Sequence, residues 1–381
     1  SDVCSSDLVA HELRFAGKSS ADKRVEIAAK LAADGYAAAV VSAPDAVAWL
    51  LNIRGGDVPH TPLPLSFAVV RADRSVDLFV DPRKLAPGLG AHLGNEVRVR
   101  PREELGDALD ELGRAKAKVL ADQATAGAWI TERLTGAGAS VTRGQDPCAL
   151  PRACKNAGEL DNTRAAHRRD GAALTRFLAW LAREAPGGQI DELAASEQLL
   201  SYRRGGEHFR DLSFSTISGA GPNGAIVHYR ASPETNRPIK PPMLYLVDSG
   251  AQYLDGTTDV TRTVAIGAPT AEQRDRFTRV LKGHIAVATQ RFPRGTNGSQ
   301  LDPLARRALW QAGLDFDHGT GHGVGSYLGV HEGPHRISKL PSNVALQPGM
   351  IVSNEPGYYK TGEYGIRIEN LVVVREAEAP P

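Results

Sequence analysis

Apolar residues recur at helical spacing in the first 150 residues, and short apolar runs lie between these segments. The segments "SADKRVEIAAKLAADGY", with a serine cap, and "REELGDALDELGRA" predict amphipathic helices. The runs "AAAVVSA", "SFAVVRADRSVDLFVD" and "KVLAD" predict strands, and the second of them contains two strands around a polar turn. This alternation of helices and strands predicts a small open-sheet α/β domain that extends to about residue 150.

The pattern changes after a proline-containing connector, "DPCALPRACKNAGELD". Two helical segments follow, "GELDNTRAAHRRDGAALTRFLAWLAREA" and "DELAASEQLLSYRR", and strands begin at about Phe214. Two later helical segments, "AEQRDRFTRVLKGHIAVATQ" and "LDPLARRALWQAG", lie between stretches rich in glycine and β-forming residues. Helices grouped with antiparallel strands predict an α+β second domain. Residues 1–8, "SDVCSSDL", fit neither pattern, and we interpret them as extraneous to the fold.

Charge and cysteine content narrow the function classes. The chain has 45 Lys and Arg against 44 Asp and Glu, and this balance argues against nucleic acid or an anionic membrane as a partner. No apolar run approaches the roughly 20 residues that span a bilayer. Cys4, Cys148 and Cys154 contain no CxxC pair, and an odd count is untypical of a disulfide framework. Cys148 and Cys154 have no second Cys/His pair at zinc-finger spacing. We therefore predict a soluble cytoplasmic protein.

Three carboxylates lie in the stretch "DSGAQYLDGTTDVTRT": Asp248, Asp255 and Asp259. Asp255 belongs to a Leu-Asp-Gly turn signal, which is sufficient to explain it. Asp248 and Asp259 fall inside predicted strands, where aspartate is depleted, and a hairpin would place them side by side. Neighbouring carboxylates raise each other's pKa unless a cation lies between them. A metal site and simple surface polarity are therefore the two explanations for this pair.

Further ligand-type residues follow along the chain: His318, His322, His331, Glu355 and Glu369. The Gly-Thr-Gly between the first two histidines argues against a helix and hence against an HExxH zinc site. Each residue also has a structural explanation, since a single histidine is commonly a hydrogen-bonded core residue and each glutamate can precede a turn or face solvent. Their combination in one chain favours a metal site over these separate explanations.

Five sequence blocks carry a family resemblance, in the order "GAIVHY", "DSGAQYLDGTTDVTRT", "HGTGHGVGSYLGVHEGP", "NEPGYY" and "GIRIENLVVV". They resemble the pita-bread metallopeptidases of family M24 and, among these, the Xaa-Pro aminopeptidases (aminopeptidase P). The segment "WLLNIRGGDVPHTPLP" is similar to the domain that precedes the catalytic one in that family. The resemblance implies a creatinase N-terminal-like α/β domain over residues 9–152 and an α+β pita-bread catalytic domain over residues 153–381. The family's additional N-terminal domain and usual C-terminal tail have no counterpart, so we expect a truncated copy.

The resemblance also implies a metal centre. Its ligands match Asp248, Asp259, His322, Glu355 and Glu369. Four carboxylates and one imidazole suit hard or borderline divalent ions, and two such ions would offset four negative charges. The family favours Mn²⁺, with Co²⁺, Fe²⁺ and Zn²⁺ as alternatives, and a hydroxide that bridges the two ions would be the nucleophile.

Other site residues follow from the same resemblance. His228 and His331 correspond to catalytic imidazoles, and Glu355 is the candidate general base. His318, Tyr359 and Arg367 are expected at the substrate pocket, although packing explains Tyr359 equally well and Arg367 can be purely structural. Arg367 shares a strand face with the residue two positions later, a proposed ligand.

The implied function is metal-dependent hydrolysis of the bond between an N-terminal residue and a following proline. The expected substrates are peptides that begin with Xaa-Pro, and the full-length protein is expected to be a homodimer. Three alternatives stay open. A prolidase, which is an Xaa-Pro dipeptidase, shares all five ligands. A non-catalytic peptide-binding module of this fold, or an inactive fragment, would not turn over any peptide.

Overall fold

The computed structural model describes residues 8–377 of the chain. The chain divides after Arg152 into two compact units. Cys4 and most of the segment that we interpreted as extraneous lie outside the described residues. Leu8, the last residue of that segment, is buried, and its backbone N–H donates to the Lys84 carbonyl. Within residues 8–377, no helix combines the length and the apolar character that crossing a membrane requires.

The first unit alternates short strands and helices. Its strands are β1 (Val9–Ala10), β2 (Ala38–Val41), β3 (Ile53–Arg54), β4 (Phe67–Arg71), β5 (Val76–Phe79), β6 (Val97–Arg100), β7 (Lys118–Ala121) and β8 (Ser140–Arg143). Its helices are α1 (Leu13–Ala16), α2 (Ser20–Ala33), α3 (Pro44–Leu51), α4 (Leu89–Leu93), α5 (Leu105–Arg114) and α6 (Ala128–Ala137). A further short helix, α7 (Ala149–Ala153), ends at the unit boundary.

Six of these strands form one mixed sheet in the order β6-β5-β4-β2-β7-β8. Strands β2, β7 and β8 run parallel, whereas β4 is antiparallel to both β2 and β5. The core on one side packs Val40, Val69 and Val119 against Leu109 of α5 and Leu134 of α6. The predicted α/β sheet is therefore confirmed. The capping serine of α2 lies one residue before the predicted one, since it is the Ser19 side chain that accepts a hydrogen bond from the Asp22 N–H.

The second unit combines four long helices with antiparallel strands. Its helices are α8 (Ala157–Glu184), α9 (Glu192–Arg204), α10 (Ala271–Ala288) and α11 (Gly298–Trp310). Its strands are β9 (Phe209–Leu212), β10 (Ile217–Ala220), β11 (Met243–Ser249), β12 (Ala251–Tyr253), β13 (Gly256–Thr257), β14 (Val260–Ile266), β15 (Gly321–Gly323), β16 (Glu332–Ile337), β17 (Ile351–Asn354), β18 (Gly357–Lys360), β19 (Tyr364–Arg367) and β20 (Asn370–Val373). All four helices lie at the predicted segments, which confirms the α+β prediction.

Two sheets determine where the acidic residues lie. One has the order β10-β11-β14 and another the order β16-β15-β17-β20. Helices α8 and α9 cover the first of these sheets, where Phe177 and Leu199 pack against Tyr245 and Val247 of β11. Burial of this apolar face fixes the register of β11, because a slip by one residue would move every side chain to the opposite face.

The predicted hairpin between β11 and β14 is interrupted by a change of sheet. After β11 the chain passes through Gly250 into β12, which pairs with β13 and β9 in a separate sheet. A Cβ on Gly250 would lie 2.0 Å from the Thr258 carbonyl oxygen, so only glycine fits this crossing. The sequence alone predicts a single hairpin because the strands of both sheets have the same β-type residue pattern, so the change of sheet leaves no signal in it.

A buried ion pair joins the start of the second unit to the strand that follows His331. The ammonium group of Lys155 contacts the Glu332 carboxylate of β16, and both side chains are 1% exposed. The Lys155 backbone N–H also donates to the Gly349 carbonyl, just before β17, at 3.0 Å. Lys155 therefore connects the two strands whose ends carry His331 and Glu355.

We expect Lys155→Met to destabilise the protein by roughly 3–5 kcal/mol, because the Glu332 carboxylate would remain buried without its cation. The matched control is Lys339→Met, since the exposed Lys339 pairs with Asp315 at 2.7 Å and such surface pairs contribute about 0–1 kcal/mol. Urea unfolding curves of both variants measure the difference. Equal stability losses in the two variants would contradict the structural importance of the buried pair.

Candidate metal centre

The two aspartates of the sheet β10-β11-β14 lie close together. Asp248 is on β11, in register with Thr261 of β14, and Asp259 immediately precedes β14 rather than lying inside it. Both residues are buried, with exposed fractions of 7% and 4%. Aspartate in such positions requires compensation, because a buried carboxylate loses its hydration.

Three more ligand-type residues reach the same region from the other sheet and its connections. His322 is on β15, Glu355 follows β17, and Glu369 lies between β19 and β20. The His322 Nε2 is 3.3 Å from Glu355 Oε1 and 3.5 Å from Asp259 Oδ2. All five residues predicted as ligands therefore line one cavity of about 500 Å³.

The donor set fits divalent metal ions. Potential ligand atoms of Asp259, His322 and Glu369 all lie within 4.8 Å of one another. Asp248 Oδ1 is buried and, among the described residues, has no hydrogen-bond partner. Oxygen atoms with one imidazole nitrogen suit Mn²⁺ and similar ions, and a buried carboxylate oxygen without a donor is a position where a cation would be favourable.

The electrostatics of the carboxylates lead to the same conclusion. Burial, together with the charges of the neighbouring carboxylates, raises the pKa of Asp248 and Glu369 and raises that of Asp259 to about 7. Burial also raises the pKa of Glu355, but the hydrogen bond and charge of His322 outweigh it and lower the value to about 2. The carboxylates resist simultaneous ionisation, and bound cations would remove that penalty.

A hydrogen-bonded chain extends from Asp248 away from the ligand atoms. The Arg367 guanidinium donates to Asp248 Oδ2 at 2.6 Å and to the Tyr359 hydroxyl at 2.6 Å. The Tyr359 hydroxyl is also 2.8 Å from Nε2 of His318. Arg367 and His318 line the cavity, and Tyr359 connects them. Arg367 thus fixes the orientation of one proposed ligand.

The two remaining histidines line the cavity beside the proposed ligands. His331 lies with its ring centroid 4.2 Å from that of His322. Partial burial and the charge of His322 lower the pKa of His331 to about 4. His228 is exposed at the cavity wall. Both imidazoles can exchange hydrogen bonds with a molecule in the cavity.

Two hydroxyl residues that the sequence analysis did not single out support the carboxylates. The Thr261 hydroxyl donates to Glu369 Oε2 at 2.7 Å, and the Ser353 hydroxyl donates to Glu355 Oε1 at 3.0 Å. Ser353 precedes Glu355 by two positions, so strand periodicity alone could have indicated it. Thr261 is identified only by its cross-strand pairing with Asp248.

Asp255, the third carboxylate of the acidic stretch, is not part of this centre. Its side chain is buried and pairs with Arg169 of α8, with both carboxylate oxygens at 2.5 Å from the guanidinium. Asp255 therefore has its own arginine partner away from the cavity. Asp248 also pairs with an arginine, Arg367, but its Oδ1 has no hydrogen-bond partner among the described residues. The ion pair that Asp259 makes is with His322.

Comparison with known families assigns the chain. The sequence profile described as metallopeptidase family M24 matches residues 161–376, and that of the creatinase/prolidase N-terminal domain matches residues 2–159. The chain belongs to metallopeptidase family M24. The family predicted from the five sequence blocks is therefore confirmed, as is the pita-bread fold preceded by a creatinase-type α/β domain.

Similar proteins carry the name Xaa-Pro aminopeptidase. A probable Xaa-Pro aminopeptidase P of Coccidioides posadasii is 43% identical over 386 residues, which cover 98% of this M24 chain and 62% of that protein. Aminopeptidase P2 of Arabidopsis thaliana is 42% identical over 400 residues, with coverage of 97% and 56%. The chain thus spans between 56% and 62% of the length of these relatives.

Solved structures confirm the fold. The X-prolyl aminopeptidase of Caenorhabditis elegans, described as a cytosolic enzyme with a di-nuclear active site, superposes with a TM-score of 0.93 at 37% identity. That match covers 99% of this M24 chain and 62% of the C. elegans chain. An Xaa-Pro dipeptidase of Bacillus anthracis has a TM-score of 0.76 at 22% identity, with coverage of 93% and 95%. This second likeness concerns the fold alone.

Proposed function

We propose that this M24 chain is a metal-dependent aminopeptidase that hydrolyses the bond between an N-terminal residue and a following proline. The observation that carries the proposal is the gathering of five ligand-type side chains and three further histidines in one cavity. The names of the relatives support the choice of substrate, since those with 42–43% identity are called Xaa-Pro aminopeptidase P or aminopeptidase P2.

The proposed cofactor is a pair of divalent ions, and we propose Mn²⁺ as the native metal, with Co²⁺, Fe²⁺ and Zn²⁺ as substitutes. Asp248, Asp259, His322, Glu355 and Glu369 would hold them. When bound, such ions lower the pKa of a water molecule and polarise the carbonyl group that it attacks. The di-nuclear site of the C. elegans relative supports two ions rather than one.

The protein's own residues would position and protonate the substrate. Glu355 is the proposed general base for the attacking water, and the proton it accepts can pass to the proline nitrogen as the bond breaks. His228 and His331 are proposed to donate hydrogen bonds to the scissile carbonyl oxygen as it gains negative charge. His318, held by Tyr359 at 2.8 Å, is proposed to shape the proline pocket, while Arg367 holds Asp248 in place.

Hydrolysis of a small peptide panel tests this proposal on metal-loaded protein whose metal content has been measured. We expect cleavage of Xaa-Pro-Yaa peptides after Xaa, and no cleavage when the N-terminus is acetylated, because the free amine would be anchored at the site. Replacing proline by alanine should lower kcat/KM by about 10–200-fold, the effect of groups missing from an apolar pocket.

Other outcomes of the same panel would replace the proposal. Cleavage restricted to Xaa-Pro dipeptides would assign prolidase activity. Folded, metal-loaded protein that cleaves none of the peptides would indicate a binding module or an inactive chain. Equal rates for the proline and alanine peptides would remove the proline specificity from the assignment.

We also propose that the protein is cytoplasmic and that its full-length form is a homodimer. Cys148 and Cys154 are free thiols, which suits a reducing compartment, and the C. elegans relative is described as cytosolic. Light scattering in solution tests the dimer directly. A monomer at all concentrations would remove that part of the proposal.

A further inference from the structure

The charged residues that line the cavity fall into two groups. Its acidic residues are Asp248, Asp259, Glu355 and Glu369, all of them proposed metal ligands. The cavity is also lined by Arg230, Arg336 and Arg367. Arg367 is buried and pairs with Asp248, whereas Arg230 and Arg336 are exposed. Outside the ligand set, the described cavity wall therefore carries arginine and no carboxylate.

Neither exposed arginine has its charge compensated within residues 8–377. No carboxylate of the described chain lies within 4.0 Å of the Arg230 or the Arg336 guanidinium, in contrast to Arg306 and Arg203, whose guanidinium groups pair with aspartates at 2.6 and 2.8 Å. The Arg336 Nη2 donates to the Pro341 carbonyl at 3.3 Å, which restrains the side chain without neutralising it.

Burial divides the cavity into an inner end and a mouth. At the inner end Asp248, Asp259 and Glu369 are buried and Glu355 is half-buried. The exposed residues of the cavity wall include His228, Arg230, His331, Arg336 and Leu340. When the N-terminal residue of a substrate occupies the inner end, the part of its chain that follows proline must extend out through this mouth. Two bound divalent ions would offset the four carboxylates, so the arginines would dominate the field that this part of the substrate meets.

From these observations we propose that Arg230 and Arg336 bind a carboxylate on the substrate after its proline, so that this chain prefers Xaa-Pro peptides with a negative charge there. This preference rests on the proposed aminopeptidase function and defines its substrate class. The carboxylate can be the C-terminus of a short peptide or an acidic side chain. Arginine presents donors in a fork that matches either group.

Four peptides distinguish the two sources. Xaa-Pro-Ala carries a C-terminal carboxylate, Xaa-Pro-Ala-amide carries none, and Xaa-Pro-Asp-Ala-amide and Xaa-Pro-Lys-Ala-amide carry opposite side-chain charges. We expect kcat/KM to be about 3–5-fold higher for each carboxylate peptide than for the neutral amide, as for a partly exposed ion pair. The lysine peptide should be the poorest, and the differences should shrink at about 1 M salt.

Charge reversal locates the preference in the structure. In the double variant Arg230→Glu/Arg336→Glu, kcat/KM should become higher for the lysine peptide than for the aspartate peptide. The single variants Arg230→Glu and Arg336→Glu show how much each arginine contributes to the charge preference. The matched control is Arg291→Glu, an exposed arginine after α10 and outside the cavity, which should keep the wild-type order. An unchanged order in the double variant, or equal rates for all four peptides with wild type, would overturn the proposal.

Failure of the charge preference differs from failure of the aminopeptidase function. If the neutral amide is cleaved but charge has no effect, only the preference is wrong. If none of the peptides is cleaved, the aminopeptidase proposal fails, and calorimetric titration of the same peptides into wild type and the double variant still decides the preference. A carboxylate peptide that binds no tighter than the neutral amide would then overturn it.

Discussion

Asp259→Asn is expected to abolish most peptidase activity and to remove at least one equivalent of bound metal. Potential ligand atoms of Asp259, His322 and Glu369 lie within 4.8 Å of one another. Burial, together with the charges of neighbouring carboxylates, raises the pKa of Asp259 to about 7 in the absence of a cation. A neutral amide oxygen is a weaker ligand than a carboxylate, so the loss should exceed the roughly 10–100-fold in affinity that follows removal of an outer supporting group.

Metal analysis, activity and thermal unfolding on the same samples test this expectation. Metal should raise the melting temperature of wild type more than that of Asp259→Asn, because at a given metal concentration a tighter-binding ion stabilises the folded state more. With metal chelated the order should reverse. The folded-state pKa of Asp259 lies above its unfolded value of about 4, so the folded state loses stability as the pH rises from about 4 to about 7, and asparagine avoids that cost.

The matched control is Asp255→Asn, which changes a buried aspartate four positions away. Asp255 pairs with Arg169 and does not line the cavity, so this variant should lose stability but keep the metal content of wild type per folded molecule. Normal metal content and rate in Asp259→Asn would refute the dinuclear assignment. Equal metal loss in both variants would mean that general destabilisation explains the result.

Periodicity and motif order predicted the main helices and strands of both units and the acidic residues that line the cavity. Long helices such as α8 and α10 have the spacing that defines an amphipathic face, and they lie where that spacing places them. Asp248 was identifiable because aspartate in an apolar strand is unusual. Such signals are local in the chain, so they are visible without the fold.

Contacts between distant segments could not be predicted in this way. The pairing of Asp255 with Arg169 joins residues 86 positions apart, and the pairing of Lys155 with Glu332 joins residues 177 positions apart. Gly250 appears as one more small residue in a strand until the Thr258 carbonyl beside it is known. Arg336 belongs to β16 and Arg230 to the segment after β10, and only the fold brings both to the same cavity.

His228→Ala is expected to lower kcat by roughly 10²–10⁴-fold, the usual contribution of a positioned acid–base group, while bound metal stays near the wild-type level. His228 is exposed at the cavity wall, so its removal should cost little folding stability. If the residue acts only on the developing oxyanion, kcat and kcat/KM should fall together while KM changes little.

His331→Ala and the double variant His228→Ala/His331→Ala show whether the two imidazoles serve one step. His331 lies against His322, with ring centroids 4.2 Å apart, so its loss can also disturb a proposed ligand, and its metal content must be measured separately. If both histidines stabilise the same transition state, the double variant should lose much less than the product of the two single losses, because groups that act as a unit are not additive. Loss of metal in parallel with activity in His228→Ala would make His228 a ligand. Losses that multiply in the double variant would instead place the two histidines in different steps of the reaction.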